Sequence, residues 1–163
     1  MKRVVVLSIA SLLASACVGP ASSLAAGLCR AGETTYFSCR TAQHTTISLC
    51  GSLGAMQYRY GKADKVELAF PEDAWQGSQQ LGYAHYTRYR TERSEVGFSR
   101  SGVDYALFDY SEDGHRSAGV RVTTAEGTDH EVACHGPVKG RLDTLGKSLR
   151  CDADNALNGG NCP

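Results

Sequence analysis

Short runs of alternating apolar and polar residues, separated by turn-forming residues, dominate the chain. The runs are rich in Tyr, Val, Phe and Thr, which favour β-strands, and Gly, Asp or Pro punctuates them. The pattern predicts strands over residues 34–41, 45–52, 56–61, 66–70, 83–90, 94–99, 103–110, 118–124 and 130–135. So many short strands predict an all-β domain, a small antiparallel β-barrel or sandwich of about eight to nine strands.

The segments between these runs indicate how the strands connect. Residues 61–64, 111–114 and 125–128 place Gly beside polar residues, as tight turns do. The stretch 71–81, which contains the only tryptophan, Trp75, is expected to be an extended loop. After residue 136 the alternation stops, and the pattern predicts a short C-terminal helical or irregular tail.

The first 26 residues have the pattern of a secretory signal peptide. Lys2 and Arg3 precede an apolar stretch too short to span a membrane, and small residues follow it. Cleavage there leaves a single β-domain over residues 27–163, with a β core over 36–135 and a disulfide-tied tail over 136–163. Residues 13–17 also resemble a bacterial lipobox, in which Cys17 would be lipidated. Both alternatives predict export, as a soluble periplasmic protein or as a membrane-anchored lipoprotein.

The cysteines beyond the signal form an even set. They are Cys29, Cys39, Cys50, Cys134, Cys151 and Cys162. An even number of cysteines in an exported chain predicts disulfides, here three, formed in an oxidising compartment.

Strand geometry favours one pair among these six. If Thr41 faces Thr45 across the first hairpin, Cys39 points to the core face while Cys50 points to the opposite face. A Cys39–Cys50 bond is therefore disfavoured. Cys134 also faces inward on the last predicted strand, so Cys39–Cys134 is the favoured pair and would close a barrel. The pairing of the other four stays open, with Cys29–Cys162 and Cys50–Cys151 as one possibility.

Charge and motifs exclude several function classes. The chain has 17 basic and 17 acidic residues, and two of the basic ones, Lys2 and Arg3, lie in the signal, which leaves a net charge of −2. This balance argues against a nucleic-acid partner. The chain has no Gly-x-Ser-x-Gly elbow, and its five histidines are scattered. We therefore expect no enzymatic activity, no metal and no cofactor.

One pentapeptide carries a resemblance to a known family. Residues 101–105, Ser-Gly-Val-Asp-Tyr, match the Ser-Gly-x-x-Tyr signature of the bacterial periplasmic and membrane-bound lysozyme inhibitors. Residues 36–39, Tyr-Phe-Ser-Cys, resemble the opening Tyr-x-Cys strand of that family. Residues 120–134 are similar to its closing strands, which end in the paired cysteine. The likeness covers roughly residues 36–135.

The resemblance implies inhibition by insertion of a loop into a lysozyme cleft. In that interpretation the Ser101 hydroxyl hydrogen-bonds the catalytic carboxylates, and Gly102 permits close approach of the backbone. Tyr105 braces the loop or offers a phenolic contact, and Asp104 favours a basic partner. The protein would be a monomer or weak dimer, in contact with a membrane only through a lipid on Cys17. Two alternatives stay open: a non-enzymatic envelope structural or interaction protein, and an immunity protein against another periplasmic toxin.

Overall fold

The computed structural model describes residues 27–52 and 54–162, and the predicted signal peptide with Cys17 lies outside the described residues. The strands are β1 (Thr34–Arg40), β2 (Thr46–Ser52), β3 (Ala55–Lys62), β4 (Lys65–Phe70), β5 (Gly82–Arg88), β6 (Thr91–Arg100), β7 (Val103–Glu112), β8 (His115–Thr123), β9 (Asp129–Ala133), β10 (Lys139–Gly140) and β11 (Arg150–Cys151). A one-turn helix, α1 (Gly77–Gln80), and 3₁₀ turns at Ala74–Gln76, Leu145–Lys147 and Ala156–Asn158 complete the elements.

All nine predicted strands are confirmed, with bounds that differ by up to three residues. The structure adds two strands of two residues each, β10 and β11, at the sheet edges. In the described chain, β11 and β5 form the one parallel pair in an otherwise antiparallel fold. The stretch 71–81, expected to be an extended loop, instead folds into a 3₁₀ turn followed by α1.

The strands form two sheets that pack face to face as a β-sandwich. Sheet 1 has the order β10-β1-β2-β3-β4, and sheet 2 has the order β11-β5-β6-β7-β8-β9. The sequence predicted a barrel or a sandwich, and the sandwich is formed. Within the described residues, sheets 1 and 2 do not close into a barrel. At one corner they meet: Thr41 forms a bridge with Cys134, and the His135 N–H donates to the Arg40 carbonyl at 2.7 Å.

An aromatic stack joins the two sheets near the end of β4. The Phe98 ring centroid lies 4.3 Å from that of Phe70, 4.8 Å from that of Tyr105 and 5.2 Å from that of Tyr58. Phe70 and Tyr58 belong to sheet 1, whereas Phe98 and Tyr105 belong to sheet 2. Aromatic pairs at these distances add stability beyond the area they bury. The stack therefore fixes the end of the β6–β7 hairpin relative to sheet 1.

Three disulfides cross-link the domain. Cys39–Cys134 joins β1 to the residue after β9, across 95 residues of sequence, and so links the two sheets rather than closing a barrel. Closing so long a loop contributes about 4 to 5 kcal/mol in the chain-entropy model. Cys29–Cys50 attaches the N-terminal segment to β2, and Cys151–Cys162 closes a loop within the tail. The sequence alone did not determine how these four cysteines pair.

The N-terminal segment, residues 27–33, covers a buried cation on the outer face of sheet 1. Arg59 on β3 is 2% exposed, and its guanidinium donates to both carboxylate oxygens of Glu33, at 2.5 and 2.7 Å. It also donates to the Leu28 carbonyl at 3.0 Å and to the Gln57 side-chain oxygen at 2.7 Å. The hydrogen bond from Arg59 lowers the pKa of Glu33.

We predict that Glu33→Gln lowers the free energy of unfolding at pH 7 by about 2 kcal/mol, because it leaves a buried guanidinium without its counter-charge. The pKa of Glu33 is lower in the folded protein than in the unfolded chain. The stabilisation is therefore complete above the unfolded pKa of about 4.3 and is lost as the pH falls through the folded pKa. Urea unfolding at several pH values from 7 to 2 measures the free energy of unfolding of the wild type and of the variant. The difference between the two should shrink as the pH falls.

The matched control is Glu67→Gln, which removes an exposed carboxylate from the neighbouring strand β4. This change should alter the free energy of unfolding by less than about 0.5 kcal/mol. Equal stabilities of the two variants at pH 7 would contradict the prediction.

Candidate functional site

The Ser-Gly-x-x-Tyr signature forms the turn of the β6–β7 hairpin. Ser101 has a φ of 53° and Gly102 a φ of 76°, and positive φ at both central positions characterises a type I′ turn. Turns of this type match the twist of the flanking strands, so the hairpin continues in register up to Arg100 and Val103. Ser101 and Gly102 are both exposed. The turn thus presents a serine hydroxyl at a narrow tip.

The other signature residues lie on opposite faces below this tip. Tyr105 pairs with Phe98 across the hairpin, and its half-buried ring stacks on Phe98 with an interplanar angle of 8°. Asp104 is exposed on the outer face and accepts a hydrogen bond from the Ser99 hydroxyl. Ser101, Gly102 and Asp104 therefore share one exposed surface, and the ring of Tyr105 packs against the core beneath it.

Two further connections lie at the same end of the sandwich. The β8–β9 connection brings the Ala125 Cβ to 4.0 Å from where a Cβ on Gly102 would stand. The segment 71–81 begins directly after Phe70, whose ring stacks on Phe98. Trp75 lies on this segment and is 63% exposed. Sequence reasoning located Trp75 in a loop and did not predict that this segment lies at the same end of the sandwich as the signature.

A polar groove of about 500 Å³ runs from the hairpin to the C-terminal tail. Its walls include Ser99, Asp104 and Tyr105 from the hairpin, and Asp152 and Asp154 from the tail. The tail is held in place along β5, where the Asp152 N–H donates to the Tyr83 carbonyl at 2.9 Å. The tail thus supplies one side of a groove whose other side is the signature hairpin.

A buried carboxylate forms the floor of this groove. Glu95 is 3% exposed and accepts hydrogen bonds from Arg121 at 2.8 Å, from the Asn155 amide at 2.7 Å and from the Tyr110 hydroxyl. Burial, together with the hydrogen bond to Glu95, raises the pKa of Tyr110 to about 12. Burial lowers the pKa of Arg121, but its hydrogen bonds to Glu95 and Tyr110 raise it more. With these three donors, the Glu95 carboxylate connects β6 to β7, to β8 and to the C-terminal tail beneath the groove.

One group of metal-ligating residue types occurs among the described residues. Cys29, Glu33 and Cys50 place their ligand atoms within 4.8 Å of one another. Cys29 and Cys50 are bonded to each other, and the Glu33 carboxylate is occupied by Arg59. Metals are bound by thiolates, which these two sulfurs cannot become while the disulfide persists. This cluster is therefore a structural cross-link.

Comparisons with protein-family models, with curated proteins and with solved structures find no match for the chain. Within the described residues, no helix has the length and apolar character needed to cross a membrane. The three disulfides are those of a protein from an oxidising compartment.

The stacking geometry predicts that the ring of Tyr105, and not its hydroxyl, supports the hairpin. Tyr105→Ala should lower the free energy of unfolding by about 2 kcal/mol, because a half-buried ring is removed from the stack on Phe98. Tyr105→Phe should change it by less than about 0.5 kcal/mol. Urea unfolding measures the free energy of unfolding of both variants. An equal decrease in the two would show that the hydroxyl, and not the ring, stabilises the hairpin.

Proposed function

We propose that the protein is an exported, non-enzymatic lysozyme inhibitor that inserts the Ser101–Gly102 turn into the active-site cleft of the enzyme. The observation that carries the proposal is the position of the signature. Its Ser and Gly form an exposed hairpin tip, while its Tyr anchors that hairpin to the core. An inhibitor that blocks a cleft requires an exposed tip of this kind on a firmly anchored hairpin.

The chemistry of the tip suits a cleft lined by carboxylates. Glycoside hydrolases of this kind use two carboxyl groups that flank the scissile bond, one of them protonated. The Ser101 hydroxyl can donate a hydrogen bond to the ionised carboxylate and accept one from the protonated acid. Gly102 has no side chain, which lets the backbone come close to the walls of the cleft. Because the hairpin is already ordered, little conformational entropy is lost on binding.

Charge at this end of the molecule favours a basic enzyme. Asp104 lies next to the turn, and Asp152 and Asp154 line the adjoining groove. Opposite charge on the partner would accelerate association and orient it, with an effect that weakens as salt increases. A lysozyme would be met in the periplasm, where either a soluble form or a form anchored through Cys17 would protect the peptidoglycan.

The test is inhibition of peptidoglycan lysis by c-, g- and i-type lysozymes, with the oxidised protein and two glycine variants. Ser101→Gly removes the hydroxyl while keeping a residue that suits a φ of 53°, so the variant should fold as well as the wild type. We expect the wild type to inhibit one lysozyme class. The inhibition constant of Ser101→Gly should be at least about tenfold higher, since a hydrogen bond to a charged group contributes about 1.5–3 kcal/mol.

Asp113→Gly is the matched control at the opposite end of sheet 2. Asp113 and Gly114 have φ values of 49° and 83°, so the same kind of turn is altered at the same position. This variant should inhibit as the wild type does. A lack of inhibition by the wild type against all three classes would contradict the proposal, as would full inhibition by Ser101→Gly.

A further inference from the structure

We infer that Trp75 is a second anchor for the same basic partner, which is then held at two points: the Ser101 turn in the cleft and the Trp75 ring beside it. This inference rests on the proposed function and assigns it a contact residue outside the signature. Four observations support it: the exposure of Trp75, the rigidity of its segment, its position relative to the turn, and the charge between them.

Packing within the domain leaves most of the Trp75 side chain uncovered. It is the only tryptophan of the chain, and 63% of its surface is accessible. Tryptophan is usually the side chain that buries most area, and in protein interfaces it is among the residues that contribute most to binding. The exposed indole is therefore a candidate contact residue.

The segment that presents Trp75 is rigidly attached to the sandwich. Gln57, 6% exposed on β3, donates to the Pro71 carbonyl at 2.7 Å, and the Trp75 N–H donates to the Asp73 carboxylate at 3.1 Å. A Cβ on Gly77 would stand 2.1 Å from the Met56 carbonyl oxygen, so this part of the segment lies directly against β3. The backbone that carries the indole is thus held in place before any partner arrives, which lowers the entropy lost on binding.

The segment, the groove and the Ser101 turn form one continuous end of the molecule. The Phe70–Phe98–Tyr105 stack holds the start of the segment beside the end of the hairpin. Gln80, at the other end of the segment, lines the groove together with Asp104. A partner that accepts the turn therefore comes close to the segment as well.

Charge identifies the partner as a basic protein. The charged residues that line the groove are Glu95, Asp104, Asp152, Asp154, Arg121 and Arg150, a net charge of −2. The segment adds Glu72 and Asp73, and the exposed Arg100 beside the turn offsets one of these charges, which leaves a net charge of −3. A surface of this sign repels an anionic glycan strand and attracts a basic enzyme.

The first test compares two exposed aromatic residues at opposite ends of the sandwich. Trp75→Ala should raise the inhibition constant for the susceptible lysozyme by about tenfold or more, as for residues that dominate an interface. Tyr89→Ala removes a ring that is 88% exposed in the β5–β6 turn and should change the constant by less than about twofold. Both variants should unfold at the same urea concentration as the wild type, because neither ring is buried. An unchanged constant for Trp75→Ala would overturn the inference and leave the proposed function standing.

The second test needs no substitution in the chain. Because Trp75 is the only tryptophan, protein grown with 5-fluorotryptophan gives one ¹⁹F resonance, which reports on this side chain alone. Adding unlabelled lysozyme should shift or broaden that resonance, and adding soluble peptidoglycan fragments should leave it unchanged. A resonance that moves with lysozyme in the absence of inhibition would overturn the proposed function and keep Trp75 as a contact. A resonance that stays unmoved by lysozyme, or that moves with the fragments alone, would overturn the inference.

Discussion

The disulfide between Cys39 and Cys134 fixes how the two sheets face each other, and the position of the candidate site depends on that packing. It links β1 to the residue after β9, at the corner where Thr41 also bridges to Cys134. The sheets are held a second time by the stack of Phe70 on Phe98. With two separate points fixed, sheet 1 cannot shift relative to sheet 2. The segment that follows β4 therefore stays beside the β6–β7 hairpin.

Each sheet also buries one outward-pointing charge, and a terminal segment covers it. Arg59 on sheet 1 receives its counter-charge from Glu33, and Glu95 on sheet 2 receives an amide from Asn155 in addition to Arg121. A buried charge that loses its partners is strongly destabilising. The terminal segments are thus parts of the fold. The disulfide in each of them helps to hold the segment over the charge that it covers. On sheet 2 the same tail also forms a wall of the groove beside the signature.

The positions of the strands and turns could be predicted from the sequence, because alternating apolar residues and turn-forming residues determine structure within a few residues of the chain. The core-facing orientation of Cys39 followed from the register of one hairpin. The other disulfide partners depend on where the terminal segments lie, which periodicity does not encode. Glu95 occurs among charged residues that are typical of a solvated strand, yet it is buried, and one of the groups that bond to it is Asn155 of the tail. A Ser-Gly pair between two strands predicted a turn, but the exposure of that turn and the placement of segment 71–81 at the same end of the sandwich could not be deduced.

The two ends of sheet 2 differ in a way that bears on which of them can enter a cleft. Both carry a turn with two residues of positive φ. The turn at Asp113 is tied to the neighbouring β5–β6 turn, because the Asp113 N–H donates to the Arg90 carbonyl at 2.9 Å and its carboxylate lies 3.1 Å from the Arg90 guanidinium. At Gly102 the nearest neighbouring atom is an Ala125 methyl group, 4.0 Å from a Cβ placed there. The Asp113 and β5–β6 turns are thus joined into a broad end. For the Ser101–Gly102 turn, no hydrogen bond to another loop is found among the described residues, so its backbone polar groups and the Ser101 hydroxyl are available to a partner.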